Sequence, residues 1–326
     1  MQDKFFIESK EIRELLRVRI LEKTKTIPNS KLRDIISQRH STSSLLKGVL
    51  SYFVHEGVGG NFSEDKKLEL ASGIEIFCSA GALLDNVIDE HEERNGKTTF
   101  LKEYGKNMQL AASQYVLHQG LKILSPFMSR FNEKYSDKYK IEEAIIGMIG
   151  MDIESSETLE ERIEIVEKSN GTFNSVPLVI AAATGTEDKN KINNVEKYGY
   201  NLGAGLAIYE EVRDLLGEHG RKKATEVESG RMIIPFYYAV QKKDFNPKNY
   251  LNKELSEKEY GEMMQKLVQN GSLKRSEDLS KTYLNLSQTA LRDAVNSEIY
   301  QKLNNLTESI LNELDELVRT TENRYS

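Results

Sequence analysis

The sequence predicts an all-α protein, a helical bundle that forms a single domain over residues 1–326. Three observations support this prediction. Apolar residues recur at helical spacing along most of the chain, strict alternation of apolar and polar residues is scarce, and only 5 prolines interrupt 326 residues. Because no shift in composition marks a boundary, a second domain is not expected.

Local signals place the individual helices. Residues 8–24 combine helical periodicity with a following Pro28. Ser63 suits an N-cap, so the next long helix is expected to run from there to about residue 91. An Asn-Gly pair at 170–171 predicts a break within a helix over 158–182. The other helices are predicted at residues 31–39, 43–55, 101–124, 140–156, 188–216, 255–270 and 275–319, with a short one ending at Val240.

Composition excludes several functional classes. Net charge is −6 with both signs interleaved, whereas nucleic-acid binders carry a basic patch, so no nucleic-acid partner is expected. No stretch of about 18 apolar residues is found, which predicts that no segment spans a membrane. The first residues lack the apolar centre of a signal peptide, and we expect a cytoplasmic protein. The single cysteine, Cys78, lies in an apolar run and is expected to be buried.

Two apolar runs end in carboxylates spaced one helical turn apart. One run ends in Asp85 and Asp89, and another ends in Glu210 and Asp214. Residues four apart share a helix face, so each pair should point in one direction. Oxygen ligands on two facing helices suit Mg²⁺, which binds through few carboxylates and keeps waters and substrate phosphates.

Chance is the competing interpretation of these pairs. With 51 acidic residues in 326, carboxylates four residues apart are common, and most mark a solvated helix face such as residues 160–167. The pairs at 85 and 89 and at 210 and 214 instead interrupt segments of core-like composition. This context favours a shared metal site.

Around these pairs the chain resembles the trans-isoprenyl diphosphate synthase family. The family's first motif, Asp-Asp-x-x-Asp, reads Asp85-Asn86-Val87-Ile88-Asp89 here, and Glu75 upstream also matches. Its second motif reads Glu210-Glu211-Val212-Arg213-Asp214, after a Tyr-Gly-x-x-Leu-Gly signature at residues 198–203. The resemblance implies a bundle of the isoprenoid synthase type with a central apolar cavity. Because the family is mostly dimeric, a homodimer is also expected.

The resemblance implies a prenyltransferase in which Mg²⁺ ions bridge the diphosphate of an allylic isoprenyl substrate. The carboxylates that match the family's metal positions are Asp85, Asp89, Glu210, Glu211 and Asp214. The cations that would neutralise the departing diphosphate are Arg94, Lys168, Arg221 and Arg231. Catalytic roles then fall to Asp85, Asp89, Lys168 and Asp214. Taken alone, each cation is better interpreted as an ordinary surface residue, the default among the 45 lysines and arginines of the chain.

The acceptor half of the site departs from the family pattern. A basic N-terminal cluster of the family binds isopentenyl diphosphate, and only Lys47 survives from it in the aligned residues 42–48. Losing most of these cations should weaken diphosphate binding. We therefore expect another acceptor. The pattern is similar to a divergent bacterial branch that prenylates a tryptophan of a quorum-sensing peptide, although the second motif is better retained here than that branch predicts.

Residues before the first motif predict the length of the prenyl chain. In the resembling family, bulky residues just before this motif shorten the tunnel, and here Ala80 and Gly81 are small. Phe77, about two turns below Asp85, would form the floor of the tunnel. These residues predict a C15 or C20 substrate, with Phe77 as ordinary core the alternative.

Three other functions fit the same residues. The first is a chain-elongating synthase with an unusual acceptor site. The second is a terpene cyclase that quenches the carbocation internally. The third is a catalytically weak subunit that regulates an active partner. Because most of the metal-ligand carboxylates persist, an active enzyme is favoured.

Overall fold

α-Helices dominate the chain, as predicted from the sequence. The computed structural model describes residues 4–88, 93–94, 97–98, 100–135, 156–217, 222–242 and 244–326. The helices of these residues are α1 (Lys4–Glu8), α2 (Lys10–Thr24), α3 (Ser30–Thr42), α4 (Leu46–Gly57), α5 (Glu64–Ile88), α6 (Phe100–Tyr104), α7 (Lys106–Leu124), α8 (Met128–Tyr135), α9 (Leu159–Val166), α10 (Thr172–Gly185), α11 (Lys189–Leu216), α12 (Thr225–Glu228), α13 (Ile234–Ala239), α14 (Glu257–Gln269), α15 (Ser272–Ala294) and α16 (Ser297–Tyr325). Strands β1 (Glu93–Arg94) and β2 (Lys97–Thr98) form a short antiparallel pair.

Helix α5 carries the first motif and packs on α4 and α7. Small residues bring α5 and α7 close together. A Cβ atom added at Gly120 would lie 2.6 Å from the Cα atom of Phe77, and one added at Gly73 would lie 2.9 Å from the side chain of Ile123. A larger residue at either glycine would therefore push the two helices apart.

Helix α11 carries the second motif and lies between α10 and α15. Asp188 caps its start by accepting the N–H of Asn190 at 2.9 Å. A Cβ atom at Gly199 would lie 2.7 Å from Ser175 Cα, and one at Gly203 would lie 2.2 Å from the Asn170 carbonyl oxygen. The Tyr-Gly-x-x-Leu-Gly signature thus allows the backbones of two segments to approach closely.

The predicted break at Asn170-Gly171 is a single π-helical turn over Glu167–Gly171, between α9 and α10. A π turn holds one residue more than an α turn and leaves a backbone carbonyl without its usual partner. Here the Asn174 side chain donates to the Asn170 carbonyl oxygen at 2.7 Å. The helix therefore continues through the turn instead of ending there.

Buried apolar side chains connect the ends of the chain. One cluster reaches from Phe5 in α1 to Val318 in α16. A smaller cluster, which includes Val166, Ile208 and Tyr238, lies beside the second motif. The single-domain organisation over residues 1–326 stays a prediction.

One predicted helix, residues 275–319, is wrong as drawn, because the chain forms α15 and α16 there. Asn296 starts α16 by accepting the N–H of Ile299 at 3.0 Å, and its own N–H donates to the Gly57 carbonyl at 2.9 Å. This break is therefore fixed by contact with α4. The helix predicted at residues 140–156 falls almost wholly outside the described residues.

Within the described residues, no helix combines the length and the hydropathy that crossing a membrane requires. The single cysteine is buried as expected, and burial raises the pKa of the Cys78 thiol.

Candidate active site

Two carboxylates of the second motif lie one turn apart near the end of α11. The helix ends at Gly217, which adopts the left-handed conformation with a φ of 71°. The Glu210 side chain is 43% exposed, and Arg213 Nη1 donates to its Oε1 atom at 2.9 Å. Asp214 is half-buried. The helix end thus presents one accessible and one partly enclosed carboxylate.

The segment after α11 folds back onto Asp214. Oδ2 of Asp214 accepts the N–H of Glu226 at 2.9 Å, and its backbone carbonyl accepts the N–H of Ala224 at 2.9 Å. Arg231 follows in the same segment. Its N–H donates to the Glu226 carbonyl at 2.9 Å, and its Nη1 atom lies 3.5 Å from Glu226 Oε1. Glu226 therefore joins a predicted metal ligand to a predicted diphosphate-binding cation.

Glu226 is a strongly perturbed carboxyl in this segment. Burial raises its pKa to about 8, Arg231 opposes this rise, and the neighbouring Glu211 and Asp214 carboxylates reinforce it. Desolvation therefore outweighs the opposing charges of Arg231 and Arg162 at this carboxyl. A bound cation near Asp214 would lower this pKa.

Glu211 has a structural role instead of the predicted role as a metal ligand. Its side chain is 1% exposed, and its Oε1 atom accepts Nη2 of Arg162 at 2.6 Å and Nε at 3.2 Å. Its Oε2 atom accepts the N–H of Ile234 at 2.7 Å. Because both oxygens point into the protein interior, we remove Glu211 from the candidate ligands.

The first motif is only partly described. The backbone of Asp85 lies in the last turns of α5, and the side chain of Asp85 falls outside the described residues. Asp89, the Arg94 side chain and Arg221 also fall outside them. Among the residues that can be described, no three His, Cys, Asp or Glu side chains are close enough to hold a metal ion.

Lys168 lies at the surface of the π turn. Its side chain is 71% exposed and forms an ion pair with Glu164, one turn earlier. The π turn that carries Lys168 packs on α11. The predicted catalytic and diphosphate-binding role of Lys168 stays a prediction.

Lys47, the remaining cation of the acceptor cluster, lies at the start of α4. It is half-buried, and its Nζ atom is 5.5 Å from the centre of the Phe173 ring. Burial lowers the pKa of Lys47, an effect that the neighbouring Cys78 and Glu75 oppose. The ammonium group therefore lies in a partly apolar pocket beside an aromatic ring.

Glu75 of α5 acts as an N-cap of α4 from another helix. Its Oε2 atom accepts the N–H of Gly48 at 2.9 Å, while Leu45 at the capping position provides no side-chain bond. Glu75 is 6% exposed. Burial raises its pKa, and the Gly48 N–H, Arg39 and Lys47 oppose this rise. Its match to the family pattern thus has a structural basis.

The residues predicted to line the tunnel lie in the interface of α5 with α7. Phe77 and Ala80 are 2% exposed, and the Ala80 carbonyl accepts Ser113 Oγ at 2.9 Å. Gly81 is buried one residue further along. A small cavity of about 30 Å³ lies between α2, α3, α5 and α7, and Ile76 lines it. The role of Phe77 as a tunnel floor stays a prediction.

Arg162 is the site-supporting residue that the sequence reasoning missed. It lies within the polar segment 160–167, which the sequence suggested was a solvated face, yet its side chain is 2% exposed. The apolar positions Ile165 and Val166 of the same helix are also buried. A buried helix face was therefore detectable, but the partner of Arg162, 49 residues away, was not.

Comparison with known proteins identifies the family. The family model described as polyprenyl synthetase matches residues 15–270. A short chain isoprenyl diphosphate synthase of Methanocaldococcus jannaschii is 22% identical over 216 residues, which span 62% of this chain and 65% of the relative.

Solved structures share the fold. A geranylgeranyl pyrophosphate synthetase from Pyrococcus horikoshii Ot3 superposes with a TM-score of 0.81 at 18% identity, covering 94% of this chain and 98% of the other. A polyprenyl synthase from Caulobacter crescentus CB15, complexed with calcium and isoprenyl diphosphate, superposes with a TM-score of 0.76 at 16% identity, covering 95% and 97%. The chain belongs to the polyprenyl synthetase family and is a prenyl-transferring enzyme.

Proposed function

We propose that the protein is a Mg²⁺-dependent prenyltransferase that ionises an allylic isoprenyl diphosphate. The observation that carries this proposal is the end of α11. Glu210 and Asp214 lie one turn apart there, and Glu226 links Asp214 to Arg231, whose guanidinium suits a diphosphate. The Caulobacter relative, solved with calcium and an isoprenyl diphosphate, shares this fold.

The donor set of this region fits a hard divalent cation. Its accessible groups are carboxylate oxygens with a guanidinium nearby. We propose Asp85, Asp89, Glu210 and Asp214 as the ligands. When bound, Mg²⁺ would neutralise charge that develops on the diphosphate.

The residues of the chain then have distinct tasks. The C–O bond of the allylic diphosphate breaks, and the electron pair leaves with the diphosphate. Arg231, together with Arg94, Lys168 and Arg221, would donate hydrogen bonds to the diphosphate oxygens as they gain charge. The acceptor attacks the allylic carbon and loses a proton. We propose a C15 or C20 chain, because Ala80 and Gly81 before the first motif are small.

We propose an uncharged, π-rich acceptor such as a tryptophan of a peptide. The support comes from the start of α4. Lys47 is the one cation retained there from the family cluster, it is half-buried, and it lies beside the Phe173 ring. An acceptor diphosphate would meet few cations in this pocket, whereas an aromatic group could stack there.

Chain elongation with isopentenyl diphosphate is the second candidate. It is favoured by the named relatives, which include a short chain isoprenyl diphosphate synthase. The two candidates share the allylic half of the reaction and differ only in the nucleophile.

The test is incubation with farnesyl or geranylgeranyl diphosphate and Mg²⁺, alone, with isopentenyl diphosphate, or with a tryptophan-containing peptide. Mass spectrometry would detect a prenylated peptide or an elongated diphosphate. A prenylated peptide supports the first candidate, and an elongated diphosphate supports the second. Release of no diphosphate under any condition would contradict the proposed enzyme.

A matched pair of variants links activity to the motif. Asp214→Asn keeps an oxygen that can accept the Glu226 N–H but removes the charge, and it should abolish turnover. Asp188→Asn changes the opposite, exposed end of the same helix and keeps an N-cap residue. It should leave turnover unchanged. The expected homodimer is a separate proposal, to be tested by light scattering.

A further inference from the structure

We infer that Arg162 is a positioning residue for the diphosphate site and acts through Glu211, an inference that rests on the proposed function. Arg162 is 2% exposed and lies in α9. Its Nε and Nη2 atoms both donate to Oε1 of Glu211, at 3.2 and 2.6 Å. Two bonds from one planar guanidinium restrict the rotation of the carboxylate.

The carboxylate of Glu211 joins three segments. Glu211 itself belongs to α11, and its Oε1 atom binds Arg162 of α9. Its Oε2 atom accepts the N–H of Ile234, at the start of α13, at 2.7 Å. Arg162 therefore sets the orientation of the group that fixes α13 to α11.

A series of contacts connects the Glu211 carboxylate to Arg231 and Asp214 of the proposed site and returns to α11. Ile234 lies three residues after Arg231, and the Arg231 N–H donates to the Glu226 carbonyl at 2.9 Å. The Glu226 N–H donates to Asp214 Oδ2 at 2.9 Å. Asp214 lies one turn after Glu211 on α11. The position of Arg231 relative to Asp214 thus depends both on the contact of Glu226 with Asp214 and on the contact of Ile234 with Glu211.

A third element of the site is connected in the same way. Arg162 lies six residues before Lys168, and α9 runs directly into the π turn that carries Lys168. The ion pair of Arg162 with Glu211 holds α9 against α11. Two proposed cations, Arg231 and Lys168, therefore depend on one buried ion pair that does not itself contact substrate.

Four variants separate positioning from general stability. Arg162→Met removes one partner of the pair, and Arg162→Lys keeps the charge but loses the planar geometry. Arg162→Met with Glu211→Gln removes both charges while the glutamine oxygen can still accept the Ile234 N–H, a combination expected to preserve folding. Lys281→Met is the control for loss of a cation from a buried carboxylate elsewhere in the protein, because Lys281 Nζ lies 2.5 Å from Glu277 of α15, which is 2% exposed and keeps Lys274 as a second partner at 2.8 Å.

Hydrogen exchange of the substrate-free protein is the first measurement. We expect amides of residues 224–236 to exchange about tenfold faster in Arg162→Met and in the double variant, and at the wild-type rate in Lys281→Met. If the amides of residues 224–236 exchanged at the wild-type rate in Arg162→Met and in the double variant, the inference would be overturned. This readout requires no turnover, so it stands apart from the test of the proposed function.

Steady-state kinetics is the second measurement. We expect the double variant to keep the wild-type melting temperature while its KM for the allylic diphosphate rises about tenfold or more and its KM for the acceptor is unchanged. The KM of Arg162→Lys for the allylic diphosphate should lie between the values of the wild type and of Arg162→Met. A double variant with wild-type KM would overturn the positioning role of the pair. Lack of turnover in the wild type would instead contradict the proposed function.

Discussion

Two buried glutamates, one on each motif helix, differ in how the protein compensates their charge. Glu211 on α11 receives two hydrogen bonds from the Arg162 guanidinium and one from a backbone N–H. Glu75 on α5 receives a backbone N–H at the start of α4, and the desolvation that raises its pKa outweighs the charges of Arg39 and Lys47.

The difference shows how each region is built. At the second motif, a full charge pair is buried so that α9, α11 and α13 share one fixed point. At the start of α4, backbone amides are the main partners, and charge is less important than having an oxygen acceptor. The stability of the second-motif region should therefore depend on the charge of Glu211, and the stability of the α4 region on the hydrogen bond that Glu75 accepts.

Neutralising Glu211 should give the largest effect. Glu211→Gln removes the negative charge that Glu211 places beside the buried Arg162 cation, and we expect a loss of about 3–5 kcal/mol in the free energy of unfolding, measured with urea. Glu210→Gln, the adjacent residue with a 43% exposed side chain, should cost less than about 1 kcal/mol. Equal losses in the two variants would contradict a buried, charge-dependent contact.

Glu226 should make the stability of the folded protein depend on pH. Its pKa is raised from 4.5 to about 8 in the folded protein, so the folded state binds more protons than the unfolded state between these values. The contribution of Glu226 to stability should therefore fall as pH rises from 4.5 to 8, by on the order of 2–4 kcal/mol, while buried His40, whose pKa is lowered to about 3, contributes in the opposite direction below pH 6.5.

The measurement is a series of melting temperatures from pH 4.5 to 8 in the presence of a metal chelator. Glu226→Gln should flatten this slope. Glu259→Gln is the control, because the pKa of Glu259 is lowered to about 2 by Lys253 and Ser256, and this shift acts below the window. A slope that survives in Glu226→Gln would assign it to another group.

Truncation of Glu75 should give a smaller effect that depends on the acceptor. Glu75→Ala leaves the buried N–H of Gly48 without its partner, and we expect a loss of about 1–3 kcal/mol in urea unfolding. Glu75→Gln retains an oxygen acceptor and avoids burying a charge, so it should cost less than about 1 kcal/mol. If Glu75→Gln were as damaging as Glu211→Gln, the contrast between the two regions would be lost.

Lys47 should give the smallest effect on stability. Burial lowers its pKa because the charged form is poorly solvated there, so a lysine is a costly residue at this position. Lys47→Met should leave the free energy of unfolding unchanged or raise it by up to about 1 kcal/mol. The KM for isopentenyl diphosphate in the same variant sharpens the acceptor assignment, since a rise above tenfold would favour chain elongation.

Local signals in the sequence account for much of the fold. Helix α11 is predicted at 188–216 and found at Lys189–Leu216, because Asp188 and Gly217 provide start and stop signals. The predicted break at Asn170-Gly171 is found as a π turn. The break between α15 and α16 was missed, because it depends on the contact of Asn296 with Gly57 in a distant helix.

The sequence by itself determined the helical class and the family, along with the placement of carboxylates at i and i+4 on apolar helices. These properties follow from spacing along one chain segment. Only the tertiary structure decided which carboxylates face inward. Glu210 and Glu211 are adjacent and chemically identical, yet one is accessible while the other binds Arg162 from a helix 49 residues earlier. The physical reason is that burial and charge pairing depend on neighbours across the bundle, which helical periodicity cannot identify.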